Sequence, residues 1–385
     1  MSNSFNAAEI VAQAVEQTGL SDFGPDGWQE PLELLLETAS AEARLNSTGE
    51  MILLRETGSR LNNRLRIQKW LTDHPDAPDQ HFEAPIVLAT LPRTGQTAAG
   101  WILDRDPDNR SLLRWFAKDP IPPPNPRELT TDPRIAREAS QIRFLPDEVM
   151  KMHLTAADEP DECHWLISND MKVPHEIYSM HVPTYYRWIR DHADMRAAYE
   201  YYALQLRILQ SSLPPQRWVL KNSPHLLHLE ELYGVMPDAT FVQIHRDPLK
   251  VLESNCKLTV LLRKMRSDHV DLHEVGSSML ELLSDYTDGL LQFREHTPAC
   301  HWVDLRFSDF VQDPMAAITS IYRAADIELT TGTAKAMTSW VKANPRNDLS
   351  KIRPADLSPY GIDDKSATDR FSDYIRHFEI SCDGV

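Results

Sequence analysis

The chain has 385 residues, 42% of them hydrophobic, with a formal net charge of -17. That length and composition allow a large core in one big α/β domain or two smaller ones, and exclude disorder as the starting expectation. The acidic balance argues against sequence-independent binding to nucleic acid or acidic membranes, which needs clustered Lys and Arg, so any anionic ligand must be held by local donors.

No stretch approaches the run of about 20 apolar residues that crosses a bilayer, and MSNSFNAAEIVAQAVEQTG lacks the basic end and apolar centre of a signal peptide. A soluble, cytoplasmic protein is expected. Cys163, Cys256, Cys300 and Cys382 lie far apart without a CxxC pair, which suggests neither a disulfide framework nor a thiolate metal site.

Residues 1–80 read as a helical segment, with Asn6 as a cap and Ser47 with Glu50 at capping-box spacing before an amphipathic run to Leu71. HPDAPDQHFEAP then delivers the chain into PIVLATL, a short apolar run suited to a buried parallel strand. LPRTGQT follows at Leu91 to Thr97, and then TAAGWILDRD, a helix whose Ala98, Ala99 and Gly100 permit close approach to a sheet. Residues from about 110 to 215 hold PIPPPNP and several helical stretches, and read as a cap inserted after the first strand and helix. Further strands are RWVLK (Arg217 to Lys221), TFVQIH (Thr240 to His245) and CHWVDL from Cys300, with helical segments between them. The alternation predicts an α/β fold: a P-loop-like, three-layer arrangement with a central parallel sheet flanked by helices. The core spans residues 81–345, residues 346–385 form a C-terminal extension, and the whole is read as one structural domain.

LPRTGQT sits where a strand turns into a helix, so its backbone N–H groups and the helix N-terminus favour an anion. Gly95 allows close backbone approach, Thr94 and Thr97 offer hydroxyls, Gln96 an amide, and Arg93 a permanent charge. An ATP-binding loop, GxxxxGK[ST], would need glycine at Thr90 and lysine at Gln96, and has neither.

PIVLATLPRTGQT resembles the 5'-phosphosulfate loop of sulfotransferases that use 3'-phosphoadenosine-5'-phosphosulfate (PAPS), commonly PRTGTT in bacterial members. VQIHRDPLKVLESNCKL is similar to the family's 3'-phosphate motif, an arginine with a serine eight positions later, here Arg246 and Ser254. RSLLRWFAKDPIPPP, DECHWLIS, VPTYYRWIRD and SPYGIDDKSATDRFSDY also resemble segments of the bacterial group, which includes mycobacterial sulfotransferases. Two departures stand out: Gln96 replaces the family's usual threonine, and Phe116 stands where many relatives carry glutamate after Trp115.

The resemblance implies sulfuryl transfer from PAPS to a hydroxyl or amine of a small-molecule or lipid-like acceptor, with PAP as product and no metal required. It assigns Arg93 and Lys221 as cations at the phosphosulfate, and His225 or Glu162 as the base, His225 being preferred. His225 follows a lysine as the base of animal sulfotransferases does, although KNSPH differs from their KTHLP spacing; Glu162 matches an acid of the bacterial EEC segment. Lys351 and Arg353 in SKIRPAD fall either where a C-terminal segment folds back on the 3'-phosphate or, the preferred reading beside Asp356, Asp363 and Asp364, in a solvated loop. Trp165, Tyr178, Tyr185, Tyr186 and Trp188 are candidates to line an acceptor pocket, and equally core residues. HWLISNDMKVPHEIYSMH has neither HExxH nor an i,i+4 histidine pair, so its histidines predict no metal site. The alternatives are a catalytically degenerate PAP-binding protein and, behind it, a nucleoside-triphosphate kinase. A homo-oligomer is compatible with all of them.

Overall fold

The computed structural model describes residues 5–345 and 354–382. Helices α1 (Ala7–Thr18), α2 (Gln29–Glu42) and α3 (Ser47–Asp73) precede the first strand. Asn6 caps α1, its side chain accepting from the Ala8 and Glu9 N–H groups. At α3 the cap is Asn46, one residue before the expected Ser47: its Oδ1 accepts from the Gly49 N–H at 2.9 Å, and Ser47 is already helical. Asn and Ser cap about equally well, so only backbone geometry separates the two readings.

Strand β1 (Ile86–Leu88) leads into α4 (Gln96–Leu103) and then β2 (Asn109–Ser111). The inserted stretch holds α5 (Arg114–Lys118), α6 (Pro133–Ile142), α7 (Asp147–Met152), α8 (His164–Ile167), α9 (Glu176–Ser179), α10 (Pro183–Asp191) and α11 (Met195–Ser211). β3 (Arg217–Lys221) passes through a 3-10 turn at Ser223–Leu227 into α12 (Leu229–Val235), and β4 (Thr240–His245) into α13 (Pro248–Lys264) and α14 (Leu272–His296). β5 (His301–Arg306), α15 (Phe307–Gln312), α16 (Pro314–Ala324), α17 (Thr331–Ala343), α18 (Asp364–Arg370) and α19 (Ser372–His377) complete the order.

The strands form one parallel sheet in the order β2-β3-β1-β4-β5. β1 lies at its centre, with earlier crossovers leading to one side and later ones to the other. Ligands of such sheets sit at that switch point, beyond the carboxyl ends of the strands. Side chains alternate across the pleat, and β1 to β4 are buried on both faces while the edge strand β5 is largely exposed. Ile86, Leu88, Val219 and Val242 pack with Ala99, Leu103, Ile318 and Met337 from α4, α16 and α17. Val87, Leu220 and Phe241 pack into a larger cluster with Leu53, Ile167, Tyr199, Leu252 and Tyr286. The inserted stretch therefore belongs to the main core. α3 is tied to it by buried ion pairs, Arg60 with Glu176 at 2.5 Å and Arg64 with Asp170 at 2.8 Å.

Helix α14 braces the turn that follows β3. A Cβ at Gly289 would stand 2.6 Å from the Leu226 carbonyl oxygen, too close for any side chain. Gly289→Ala is expected to cost about 1–3 kcal/mol of stability by overpacking. The readout is a lower urea midpoint at unchanged slope, and an unchanged midpoint would show that the turn yields freely.

Candidate active site

β1 ends at Leu88, and the next residues are stapled to β4 by one hydroxyl. Thr90 Oγ1 accepts from the Ile244 N–H at 3.1 Å and donates to the Ile244 carbonyl at 3.0 Å, extending the ladder past the last strand residue. Thr94 Oγ1 lies 3.0 Å from Thr90 Oγ1 and donates to the Leu91 carbonyl at 2.7 Å. The Thr94 side chain is fully buried. The hydroxyl expected to serve the anion here holds the loop, donating to the Leu91 carbonyl.

Arg93 at φ 66° and Gly95 at φ 92° both take left-handed backbone. For arginine that conformation costs of order 1 kcal/mol or more. At Gly95 a Cβ would also stand 3.0 Å from the Phe310 ring, a tight contact that adds to the backbone preference for glycine. No side chain caps α4, and its first N–H groups are left facing the loop. Gln96 and Thr97 open that helix. Gly100 faces Lys221, and a Cβ there would stand 3.4 Å from the lysine Cδ, in ordinary van der Waals contact.

On one side of the loop stands the Arg246 segment. Arg246 leaves β4 directly after His245, donates from Nη1 to the Arg93 carbonyl at 2.6 Å, and lies over the Phe307 ring at 4.3 Å. Arg93 Nε donates to Ser254 Oγ, inside α13, at 3.1 Å. The Arg93 side chain thus points to the Arg246 and Ser254 segment and bridges the two expected anion motifs.

On the other side stands a polar cluster around Glu162. The Cys163 N–H donates to the Lys221 carbonyl at 3.0 Å, which fixes DECHWL beside the end of β3. Glu162 Oε1 lies 3.8 Å from Lys221 Nζ and accepts from Gln96 Nε2 at 3.5 Å. Its Oε2 lies 3.5 Å from His164 Nδ1. Gln96 Nε2 also donates to Ser223 Oγ at 2.9 Å. Burial pushes the Glu162 carboxyl up, but the Lys221 ammonium and His164 outweigh it and hold the carboxyl down at about 2. Glu162 is accordingly a carboxylate at neutral pH.

His225 is elsewhere. The 3-10 turn drives it into the core, where Nδ1 lies 2.7 Å from the Tyr199 hydroxyl and Nε2 has no partner. Burial pushes its ring down to about 3. Tyr185 and Tyr186 are likewise core residues: the Tyr185 hydroxyl accepts from the Val173 N–H at 3.1 Å, and that of Tyr186 donates to Asp285 at 2.8 Å. Trp165, Tyr178 and Trp188 are partly buried against the core. Phe116 is buried, 5.0 Å from the Trp115 ring. Lys351 and Arg353 lie outside the described residues. The sequence reading missed Thr90, Ser223 and His164. Ser223 follows Lys221 by two residues, a usable hint, whereas nothing local marks Thr90 as a staple. Among the described residues no group of three or more His, Cys, Asp or Glu side chains is arranged to hold a metal, and no helix is long and apolar enough to cross a membrane.

The parallel α/β sheet thus brings a strand-to-helix turn, three cations (Arg93, Lys221 and Arg246) and the Glu162 carboxylate together at its switch point. The sulfotransferase family profile matches residues 85–331, and the chain belongs to that family: it is a sulfotransferase. Its structure is similar to that of sulfotransferase STF9 from Mycobacterium avium, with 31% identity, both chains covered over 100% and a TM-score of 0.92. It is also similar to sulfotransferase STF1 from Mycobacterium tuberculosis H37Rv, with 25% identity, 97% of this chain and 100% of that chain covered and a TM-score of 0.85. No curated protein sequence matches the chain.

The depressed Glu162 carboxyl has a consequence for acid stability. Its contribution is present above its ordinary value of 4.5 and is lost as pH falls from there towards about 2. Glu162→Gln is expected to lose less stability than the wild type across that window, measured by urea unfolding at stepped pH. Parallel curves would contradict the Lys221 and His164 contacts.

Proposed function

We propose that the chain transfers a sulfuryl group from PAPS to a hydroxyl, or an amine, of a small-molecule or lipid-like acceptor, releasing PAP and a sulfated product. The observation that carries this reading is the junction of two segments distant in sequence: Arg93 meets Ser254 at 3.1 Å and Arg246 meets the Arg93 carbonyl at 2.6 Å. A loop suited to the 5'-phosphosulfate and a pair suited to a 3'-phosphate are thereby held side by side, which is what a 3'-phosphorylated nucleotide requires.

Glu162 takes the proton of the acceptor group as its oxygen or nitrogen bonds to sulfur. The bond from sulfur to the bridging oxygen of the 5'-phosphate breaks, and the new charge collects on the leaving phosphate. Lys221 and the N–H groups of Gly95, Gln96 and Thr97 stabilise it, while the Arg93 side chain, expected at the phosphosulfate, is turned instead to Ser254 of the pair read as the 3'-phosphate site. Lys221 and Glu162 lie 3.8 Å apart, so leaving-group cation and base stand together at one strand end. His225 is the weaker candidate for the base, being fully buried with its Nδ1 engaged by Tyr199. A cytoplasmic setting fits the four unbridged cysteines.

Transfer of labelled sulfate from PAPS to a panel of phenols, sterols and sugars tests the activity. Glu162→Gln is expected to lower kcat by about 10² to 10⁴ without weakening PAP binding, while His225→Asn keeps turnover if it folds. A dead His225→Asn enzyme of native stability beside an active Glu162→Gln enzyme would reverse the choice of base. Arg246→Ala is expected to weaken PAP about 10- to 100-fold by calorimetry. Tight PAP binding with no acceptor sulfated across the panel would favour a nucleotide-binding protein without turnover.

A further inference from the structure

Gln96 does more than line the loop. As the first residue of α4 it moves with the anion-binding turn, yet its side chain is buried at 5% exposure and reaches across to Ser223 Oγ at 2.9 Å and Glu162 Oε1 at 3.5 Å. Lys221 Nζ approaches the same Glu162 oxygen at 3.8 Å. A fully formed charge-assisted bond to a carboxylate measures about 2.7–2.9 Å, so both contacts are loose and open to competition. A phosphosulfate competes strongly for the same N–H groups. The Gln96 Oε1 is buried and has no hydrogen-bond partner, an arrangement that favours any rearrangement that gives it one.

We propose that Gln96 is a positioning residue that couples donor binding to the base: donor oxygens draw the Gln96 and Lys221 N–H groups to themselves and release Glu162 Oε1 for the acceptor. This rests on the reading of Glu162 as base and of the loop as the donor site. The groups around Glu162 are Lys221 at the end of β3, Gln96 on α4, His164 on α8, His153 after α7, and Asp161 and Cys163 beside it, together with His175 and Tyr178 at α9, His225 in the turn after β3 and Tyr286 on α14. Asp161 repels the carboxylate, but Arg114 at 2.6 Å neutralises it. Withdrawing two donors makes Glu162 a stronger base only when the donor is in place, so an acceptor arriving first meets a carboxylate still held by its neighbours.

Because linkage is reciprocal, releasing Glu162 from Gln96 must strengthen the hold of Gln96 on the nucleotide. A double-mutant cycle on PAP affinity reads this by calorimetry in wild type, Glu162→Gln, Gln96→Met and the double variant. Glu162→Gln is expected to tighten PAP about 3- to 10-fold where Gln96 is present and by clearly less in the Gln96→Met background. Additive effects would overturn the coupling. Absence of PAP binding in the wild type would instead overturn the donor-site reading itself. The second readout is the pH profile of Gln96→Met. Loss of a donor to the charged form raises a carboxyl, so the acid limb of kcat/KM for PAPS, which reports the free enzyme, is expected to move to higher pH. The limb of kcat, which reports the bound complex, is expected to stay. A limb of kcat/KM that does not move, or both limbs moving together, would reduce Gln96 to a packing role.

Discussion

The position of β1 between β3 and β4 governs everything at the site. Only three residues of β1 are paired, yet Leu88 sits in register with Lys221 on one side and Val242 on the other. Lys221 is thus delivered to the mouth of the loop by strand register, with no need for a long reach. Arg246, which leaves β4 directly after its last residue, arrives from the opposite side. Thr90 makes this possible, because its double bond to Ile244 carries the pairing past the strand end and into the turn. A hydroxyl is the smallest group that both donates and accepts, and a side chain lacking either function leaves a buried backbone group of Ile244 unpaired.

The site also works against the charge of the molecule. A chain at -17 gathers Arg93, Lys221 and Arg246 around one turn, and each is tied to a local partner. Lys221 is paired with a carboxylate that doubles as the proposed base, and Arg246 is anchored on a backbone carbonyl and an aromatic face. The left-handed turn at Arg93 adds local strain in the same place, as recognition loops often do.

Much of this was legible in the sequence because it obeys periodicity. β1, β3, β4 and β5 are apolar, β-branched or aromatic runs bounded by turns, and the small residues of α4 announce close packing on a sheet. β2 was not legible: Asn109, Arg110 and Ser111 have no strand character, and they pair only because Trp218 and Val219 present an open edge to them. Arg110 lies over the Trp218 ring at 5.3 Å, a tertiary contact with no local signature. The LPRTGQT loop and the Arg246 and Ser254 segment were readable as motifs, but their meeting through the Arg93 side chain was not. His225 shows the limit most clearly. Four residues from Lys221 in sequence, it is turned inward by a 3-10 segment, and its neighbours become Tyr199 and Tyr202 instead of the loop. Glu162 lies 59 residues before Lys221 and reaches it through one backbone bond from Cys163. Nearness to Lys221 along the chain favoured the histidine in spite of its spacing, whereas pairing across the chain favours the carboxylate.

The central claim is that the loop and the Arg246 and Ser254 pair form one site for a 3'-phosphorylated nucleotide. Calorimetric titration with PAP, with adenosine 5'-phosphate, and with ATP in the presence of magnesium tests it most directly, since the first two differ only in the 3'-phosphate. The account predicts that PAP binds about 100-fold tighter than adenosine 5'-phosphate, the contribution of two or three charge-assisted contacts. Equal affinity for the two, or a preference for magnesium ATP over PAP, would contradict it.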